Sequence, residues 1–240
     1  GGGFSGIVWG CQKRFMYGIN YAWREFAADF GGIPYWNKPG VSQAISDFRN
    51  DLKDMKDNGV NTIRWWMFPE FRTPSIEFDQ SNTLTGISGT LEEDIRQALA
   101  LANELDLYLM LTIFSFDNFR ADREDSGLFI RGLAPMLKDG KKRASIMENL
   151  IRPIAAIVES DPNRDHMIAW DLMNEPEWAV TGSGVAPDQN FDPNPALEAV
   201  THSEMHTFFK EMISVLREES SAMITIGAAA VKWVNAWKDL

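Results

Sequence analysis

Five short apolar runs rich in strand-forming residues recur along the chain, each separated from the next by a longer amphipathic stretch. This alternation limits what the chain can fold into more than any other feature. The runs are 15–21 (FMYGINY), 61–68 (NTIRWWMF), 107–114 (LYLMLTIF), 167–173 (MIAWDLM) and 223–226 (MITI). Parallel strands covered on both faces read as such near-continuous apolar runs. Between them, Val41, Ala44, Ile45, Phe48, Leu52 and Met55 repeat at helical spacing, and Gly59 stands where a helix C-terminus takes a left-handed residue. Thr90 and Glu93 have the spacing of a capping box ahead of Ile95, Leu99, Ala102 and Leu105. Ile146, Leu150, Ile154, Ile157 and Val158 mark a third helix that Pro153 should bend, and a fourth is expected from about Pro195 to Glu219.

Strands and helices in strict order require a parallel sheet built from right-handed crossovers. A doubly wound sheet and a (β/α)8 barrel both satisfy that. No G-x-G-x-x-G follows the first strand, which removes the best mark of a dinucleotide fold. Long polar segments at 22–40, 69–89, 115–140 and 174–194 follow the strand ends, as in a barrel that carries its site on those loops. The expected fold class is therefore α/β, a TIM (β/α)8 barrel. Only about five strand–helix units can be counted, and a five-strand arc leaves open edges and an uncovered inner face. The barrel is thus expected to be incomplete, with a completing polypeptide or self-association through its open strand edges. Residues 1–14, opening on Gly1-Gly2-Gly3, are expected to be an artificial remnant and lead-in, and 15–240 one partial catalytic domain.

Charge and composition exclude some functions. The net charge of −11, from 34 acidic and 23 basic residues, argues against a surface that tracks nucleic-acid phosphates and suits a neutral ligand such as a sugar. The lone cysteine, Cys11, cannot form an intrachain disulfide and reads as a small buried hydrophobe. No apolar run approaches the roughly 18 residues of a membrane span. No signal peptide is visible, and extracellular and cytoplasmic locations both stay open.

The most informative stretch is Trp170-Asp171-Leu172-Met173-Asn174-Glu175-Pro176-Glu177-Trp178. A carboxylate at the C-terminal end of a barrel strand reads as catalytic. Glycoside cleavage needs a proton donor for the departing oxygen, and a glutamate among Trp170, Met173 and Trp178 would have a partly apolar setting for that task. Asn-Glu-Pro can equally do no more than turn the chain and cap a helix.

Asn-Glu-Pro at the end of the fourth strand resembles the signature of clan A glycoside hydrolases, particularly the cellulase and β-mannanase relatives of family 5. Gly18-Ile19-Asn20-Tyr21 resembles the first-strand motif of that family, and Arg64 in Ile63-Arg64-Trp65-Trp66 resembles its second-strand arginine. The resemblance extends over roughly residues 15 to 237. It implies a retaining glycosidase acting on a β-linked mannan or glucan, with Glu175 as acid/base. Asn174 would contact the hydroxyl beside the anomeric carbon, and Arg64 would hydrogen-bond the nucleophile. The family takes that nucleophile, a glutamate, from the seventh strand, a His/Tyr pair from the sixth and a Trp from the eighth. None has a counterpart here, so the chain alone is expected to be inactive. Asp171 cannot replace the nucleophile: four residues at roughly 3.3 Å each separate it from Glu175 by about 13 Å, against about 5–5.5 Å for a retaining pair. A buried structural role beside Arg64 is expected for Asp171, and a solvent-facing or capping role for Glu177.

Asn20, Trp23, Trp36, Trp66, Asp117 and Trp178 are the candidate substrate contacts, with Tyr35 near them. The aromatic rings suit sugar stacking and serve equally as packing. Asp117 and Asn118 can bind hydroxyls or cap the next segment. His202 and His206 have a zinc-compatible spacing but no third ligand, so a solvated helix face is expected, and 138–143 reads as a basic helix start. Asp188, Asn190, Asp192 and Asn194 alternate like the start of a calcium loop without its glycine or distal glutamate, which favours a turn. No metal or other cofactor is implied. The competing readings are a non-catalytic carbohydrate-binding relative and, more weakly, a metal-dependent barrel hydrolase.

Overall fold

The computed structural model describes residues 7–184 and 189–240. Gly1-Gly2-Gly3 and Asp188 lie outside them. The strands, in chain order, are β1 (Ile7–Trp9), β2 (Gln12–Arg14), β3 (Gly18–Asn20), β4 (Thr62–Phe68), β5 (Ile76–Phe78), β6 (Leu84–Ile87), β7 (Tyr108–Ser115), β8 (Arg123–Asp125), β9 (Leu128–Ile130), β10 (Met167–Asn174), β11 (Val180–Ser183), β12 (Asn190–Phe191), β13 (Val200–Thr201) and β14 (Met223–Thr225). The helices are α1 (Ile45–Asp57), α2 (Leu91–Glu104), α3 (Ala134–Lys138), α4 (Gly140–Ile146), α5 (Arg152–Ser160) and α6 (His202–Glu219).

The five apolar runs form the central sheet. Its order is β3-β4-β7-β10-β14, parallel throughout. Spatial order equals chain order, so the reversal that defines a doubly wound sheet is absent. Helices α1, α2, α5 and α6 lie side by side in the same sequence on its outer face. Ile63, Trp65, Met67, Leu109, Leu111, Trp170 and Leu172 bury their side chains in the core shared with these helices. Among the described residues the sheet is open, with β3 and β14 as its edges, and does not close into a barrel.

Several local expectations are corrected. Ahead of β3, residues 7–14 form an antiparallel hairpin, with Trp9 donating to the Asp165 carbonyl at 2.7 Å. Cys11 sits exposed at the hairpin turn with φ 60, not buried. Thr90 makes no capping box; its hydroxyl donates to Asp94 at 2.9 Å, while Glu93 accepts from Gln97. The box forms instead at Thr201 and Glu204, so α6 starts at His202 rather than near Pro195. Pro153 does not kink one continuous helix. A π-helical turn, Met147–Ile151, joins α4 to α5 just ahead of it, which gives room where a proline ring would strike the preceding turn. The 138–143 run is indeed a helix start: the Asp139 carboxylate accepts the Lys141 and Lys142 amides. No described helix is long and apolar enough to cross a membrane.

Candidate active site

β10 ends at Asn174, and the next residue turns the chain sharply. Glu175 has φ 48 and ψ 52, a left-handed conformation that costs a non-glycine residue about 1–3 kcal/mol and tends to occur where function demands it. Pro176 then opens a short 3-10 turn, Pro176–Ala179. The strain aims the Glu175 side chain into a cavity of about 650 Å³ at the C-terminal ends of the central strands. Asn20, Trp23, Arg64, Trp66, Asp117 and Asn174 line it as well. They come from β3 and the loop after it, from β4, from the turn after β7 and from β10, and the parallel register brings them together: Asn20 pairs with Arg64, Trp66 with Thr112, and Thr112 with Asp171.

Arg64 is the hub. Its guanidinium donates to Asp171 Oδ2 at 2.6 and 3.0 Å, to Asn20 Oδ1 at 2.9 Å and to Asn174 Oδ1 at 3.2 Å. Asp171 also accepts from the Thr112 hydroxyl and the Gly227 amide, both at 2.9 Å. Burial pushes its carboxyl up, and the Arg64 charge opposes that. Gly227 is required by this crowding, because a Cβ there would lie 2.9 Å from the Met173 carbonyl and 3.2 Å from Arg64 Nη2. With its oxygen held by Arg64, the Asn174 amide presents its NH2 group as a donor.

The aromatic candidates separate. Trp66 donates to Asn20 at 3.1 Å and meets Trp23 edge-to-face at 5.2 Å, and both line the cavity. Trp36 is not among the lining residues: its indole donates to the Ser126 carbonyl at 3.2 Å, and the Arg72 guanidinium covers its ring at 5.1 Å. Trp178 is not a lining residue either. Its indole N–H donates to Glu175 Oε2 at 3.0 Å. Asp117 faces the cavity while accepting from Ser115 at 2.9 Å, and burial pushes its carboxyl up. Asn118 is buried and accepts the Ser115 amide, so it caps rather than faces the cavity.

Glu177 departs from its expected exposure. It is 3% exposed, accepts from the Ala229 amide, and leaves Oε2 without a partner among the described residues. Burial pushes its carboxyl up, and the charge of Glu175 adds to that. His202 and His206 are also not on a solvated face. His202 stacks on Trp237 at 4.7 Å, and His206 lies 3.2 Å from Asp239. Among the described residues no group of three or more His, Cys, Asp or Glu side chains could hold a metal ion. The calcium-loop reading includes Asp188, outside the described residues. Sequence reasoning missed Phe26, Phe116, Gly227 and Ala228, which complete the lining. Phe116 follows β7 directly and could have been found from the strand end, whereas Phe26 carries no local signal.

A strained glutamate thus follows directly on the fourth strand of the central sheet, beside an amide oriented by an arginine. The chain is similar to β-mannanases. It is 26% identical over 227 residues to a mannan endo-1,4-beta-mannosidase of Mytilus edulis, covering 91% of this chain and 57% of that protein. It is 27% identical over 240 residues to one of Cryptopygus antarcticus, covering 98% and 57%. The chain thus spans 57% of the length of these curated relatives. Among solved structures, β-mannanase from the blue mussel Mytilus edulis superposes with a TM-score of 0.72 at 26% identity, over 90% of this chain and 59% of that one. A β-1,4-mannanase from the sea hare Aplysia kurodai reaches 0.73 at 20% identity, over 94% and 63%, a likeness of fold. No protein-family model matches the chain.

Proposed function

We propose that this chain is a five-unit part of a (β/α)8 retaining glycoside hydrolase acting on β-linked mannan, with Glu175 as its acid/base. The observation that carries the reading is the placement of Glu175. It directly follows the fourth parallel strand, lines the cavity from a left-handed backbone position, and belongs to a chain similar to two mannan endo-1,4-beta-mannosidases. In this reading the Glu175 carboxyl gives its proton to the glycosidic oxygen as the C1–O bond breaks, then takes one from the water that releases the sugar. Trp178 holds Oε2, which leaves Oε1 for the departing oxygen. The Asn174 NH2 meets the hydroxyl next to C1, and Arg64 sets its direction. Asn20, Trp23, Trp66 and Asp117 bind the sugar, and the second carboxylate comes from polypeptide outside these 240 residues.

One observation favours the second reading, a sugar-binding relative without chemistry. Asp171 is committed to Arg64, so among the described residues only Glu175 and Asp117 offer the cavity a carboxylate. Hydrolysis of mannan and aryl β-mannosides separates the two. It is measured on this chain and on the chain joined to the polypeptide that completes the barrel, each with Glu175→Gln. Cleavage by the completed protein that disappears in Glu175→Gln supports the hydrolase. Sugar binding by the completed protein without any cleavage transfers the conclusion to the binding module.

A further inference from the structure

The sugar-facing wall of the cavity rests on a buried carboxylate that takes no part in the chemistry above. Asp29 is 1% exposed and lies in the loop after β3. Its Oδ2 accepts from the Arg24 amide at 2.8 Å and from the Trp65 indole at 2.8 Å, and its Oδ1 accepts from the Glu25 amide at 2.8 Å. Trp65 is a fully buried residue of β4, packed against Phe30, Phe48 and Tyr21. Arg24 and Glu25 lie between the two aromatic residues of the loop that reach the cavity, Trp23 and Phe26. These two meet edge-to-face at 4.9 Å, and Trp23 is 39% exposed. Asp29 therefore bolts the backbone between the two rings to the indole of a core strand. The Trp66 amide holds the Ala22 carbonyl just ahead of Trp23 at 3.1 Å, and beyond Phe26 the backbone is tense, with Ala27 at φ 58.

We propose that Asp29 is a positioning residue for the Trp23–Phe26 wall: its carboxylate holds the Trp23 ring where a pyranose of the bound glycan stacks, so sugar affinity depends on its ionisation. The claim rests on the reading of the cavity as a glycan site. Burial raises the Asp29 carboxyl to about 6, against the pull of its three donors. Protonation replaces an acceptor with a donor, and the two amides and the indole then compete for fewer lone pairs. The charged groups around it are held by one another. Arg24 pairs with Asp51 and Asp47 of α1, Tyr21 donates to Asp51, and Glu25 pairs with Lys38; Trp65 brings no charge from β4.

The test is a pH titration of the unmodified 240-residue chain by two-dimensional NMR of its indole N–H groups, with Trp23→Phe for assignment. The Trp23 and Trp65 signals should shift together with a midpoint near 6, and Asp29→Asn should remove that shift. Calorimetric titration with mannohexaose should then show affinity falling about fivefold between pH 7.5 and 5 in the unmodified chain and staying flat in Asp29→Asn. A Trp23 signal that ignores pH across this range overturns the positioning role even if Asp29→Asn does not fold. A Trp23 signal that titrates, in a chain that binds no mannohexaose at either pH, instead removes the glycan site and with it the sugar platform.

Discussion

Trp178 donates its indole N–H to Oε2 of Glu175 across 3.0 Å, from three residues further along the same short turn. The bond links an exposed ring to the residue on which the proposed chemistry depends, and it fixes which carboxylate oxygen stays available. Trp178→Phe keeps the ring and removes the donor. A hydrogen bond to a charged group contributes about 1.5–3 kcal/mol, so cleavage by the barrel-completed protein should fall about tenfold or more. Binding of manno-oligosaccharide should change little. The measurement is kcat against KM on a defined oligosaccharide, and a loss confined to KM would refute the orienting role.

Arg64 and Asp171 form a pair of unequal exposure, with the guanidinium side chain 23% exposed and the carboxylate 1%. Arg64→Met strands a buried carboxylate and should lower stability by about 3 kcal/mol, read as a shifted midpoint in urea. Adding Asp171→Leu should recover most of that loss. A double variant as unstable as the single one would show that packing, not charge, holds the hub.

Asp29 predicts an inverted pH response of stability. Its folded carboxyl titrates near 6, above the ordinary value of 3.8. A raised carboxyl binds protons more tightly in the folded state, so its contribution declines as pH rises from about 4 to about 6. The full span is on the order of 3 kcal/mol. Urea midpoints of the chain and of Asp29→Asn at pH 4, 5, 6 and 7 should converge as pH falls. Curves that stay parallel would contradict the assignment.

Glu177 carries a cost that a glutamine avoids. The amide oxygen of Glu177→Gln can still accept from Ala229, and the buried charge is gone. The variant should be about 1 kcal/mol more stable at pH 7, with the difference shrinking in acid as the glutamate gains its proton. Thermal melts at pH 7 and pH 4 check this, and a destabilised variant at pH 7 would reveal a donor to Oε2.

Much of the sheet was legible because strands buried on both faces must be apolar throughout, and the five runs leave no other use for residues such as 107–114. The Arg64–Asp171 contact could be anticipated because both point inward from strand positions of known parity. What stayed hidden depends on segments far apart in the chain. Glu177 is met by the Ala229 amide from the segment after β14, and His202 is covered by Phe191 and Trp237, which stack on it. Trp36 was placed at the cleft by its position after a strand, but Arg72 and Ser126, brought in by other loops, draw it away. The start of α6 has a local signal, the Thr201–Glu204 capping box, which sets it at His202 rather than near Pro195.

Asp171 is touched by donors from β4, β7 and the segment after β14, and its partner Arg64 lies 107 residues away. No subset of consecutive units contains the whole arrangement, so the Asn174 amide is turned toward its ligand only after distant parts of the chain have docked. Contacts of such long reach form late in folding. Ligand affinity in this cavity should therefore appear as the last event of refolding, after helix content has recovered, and can serve as a clock for completion of the sheet.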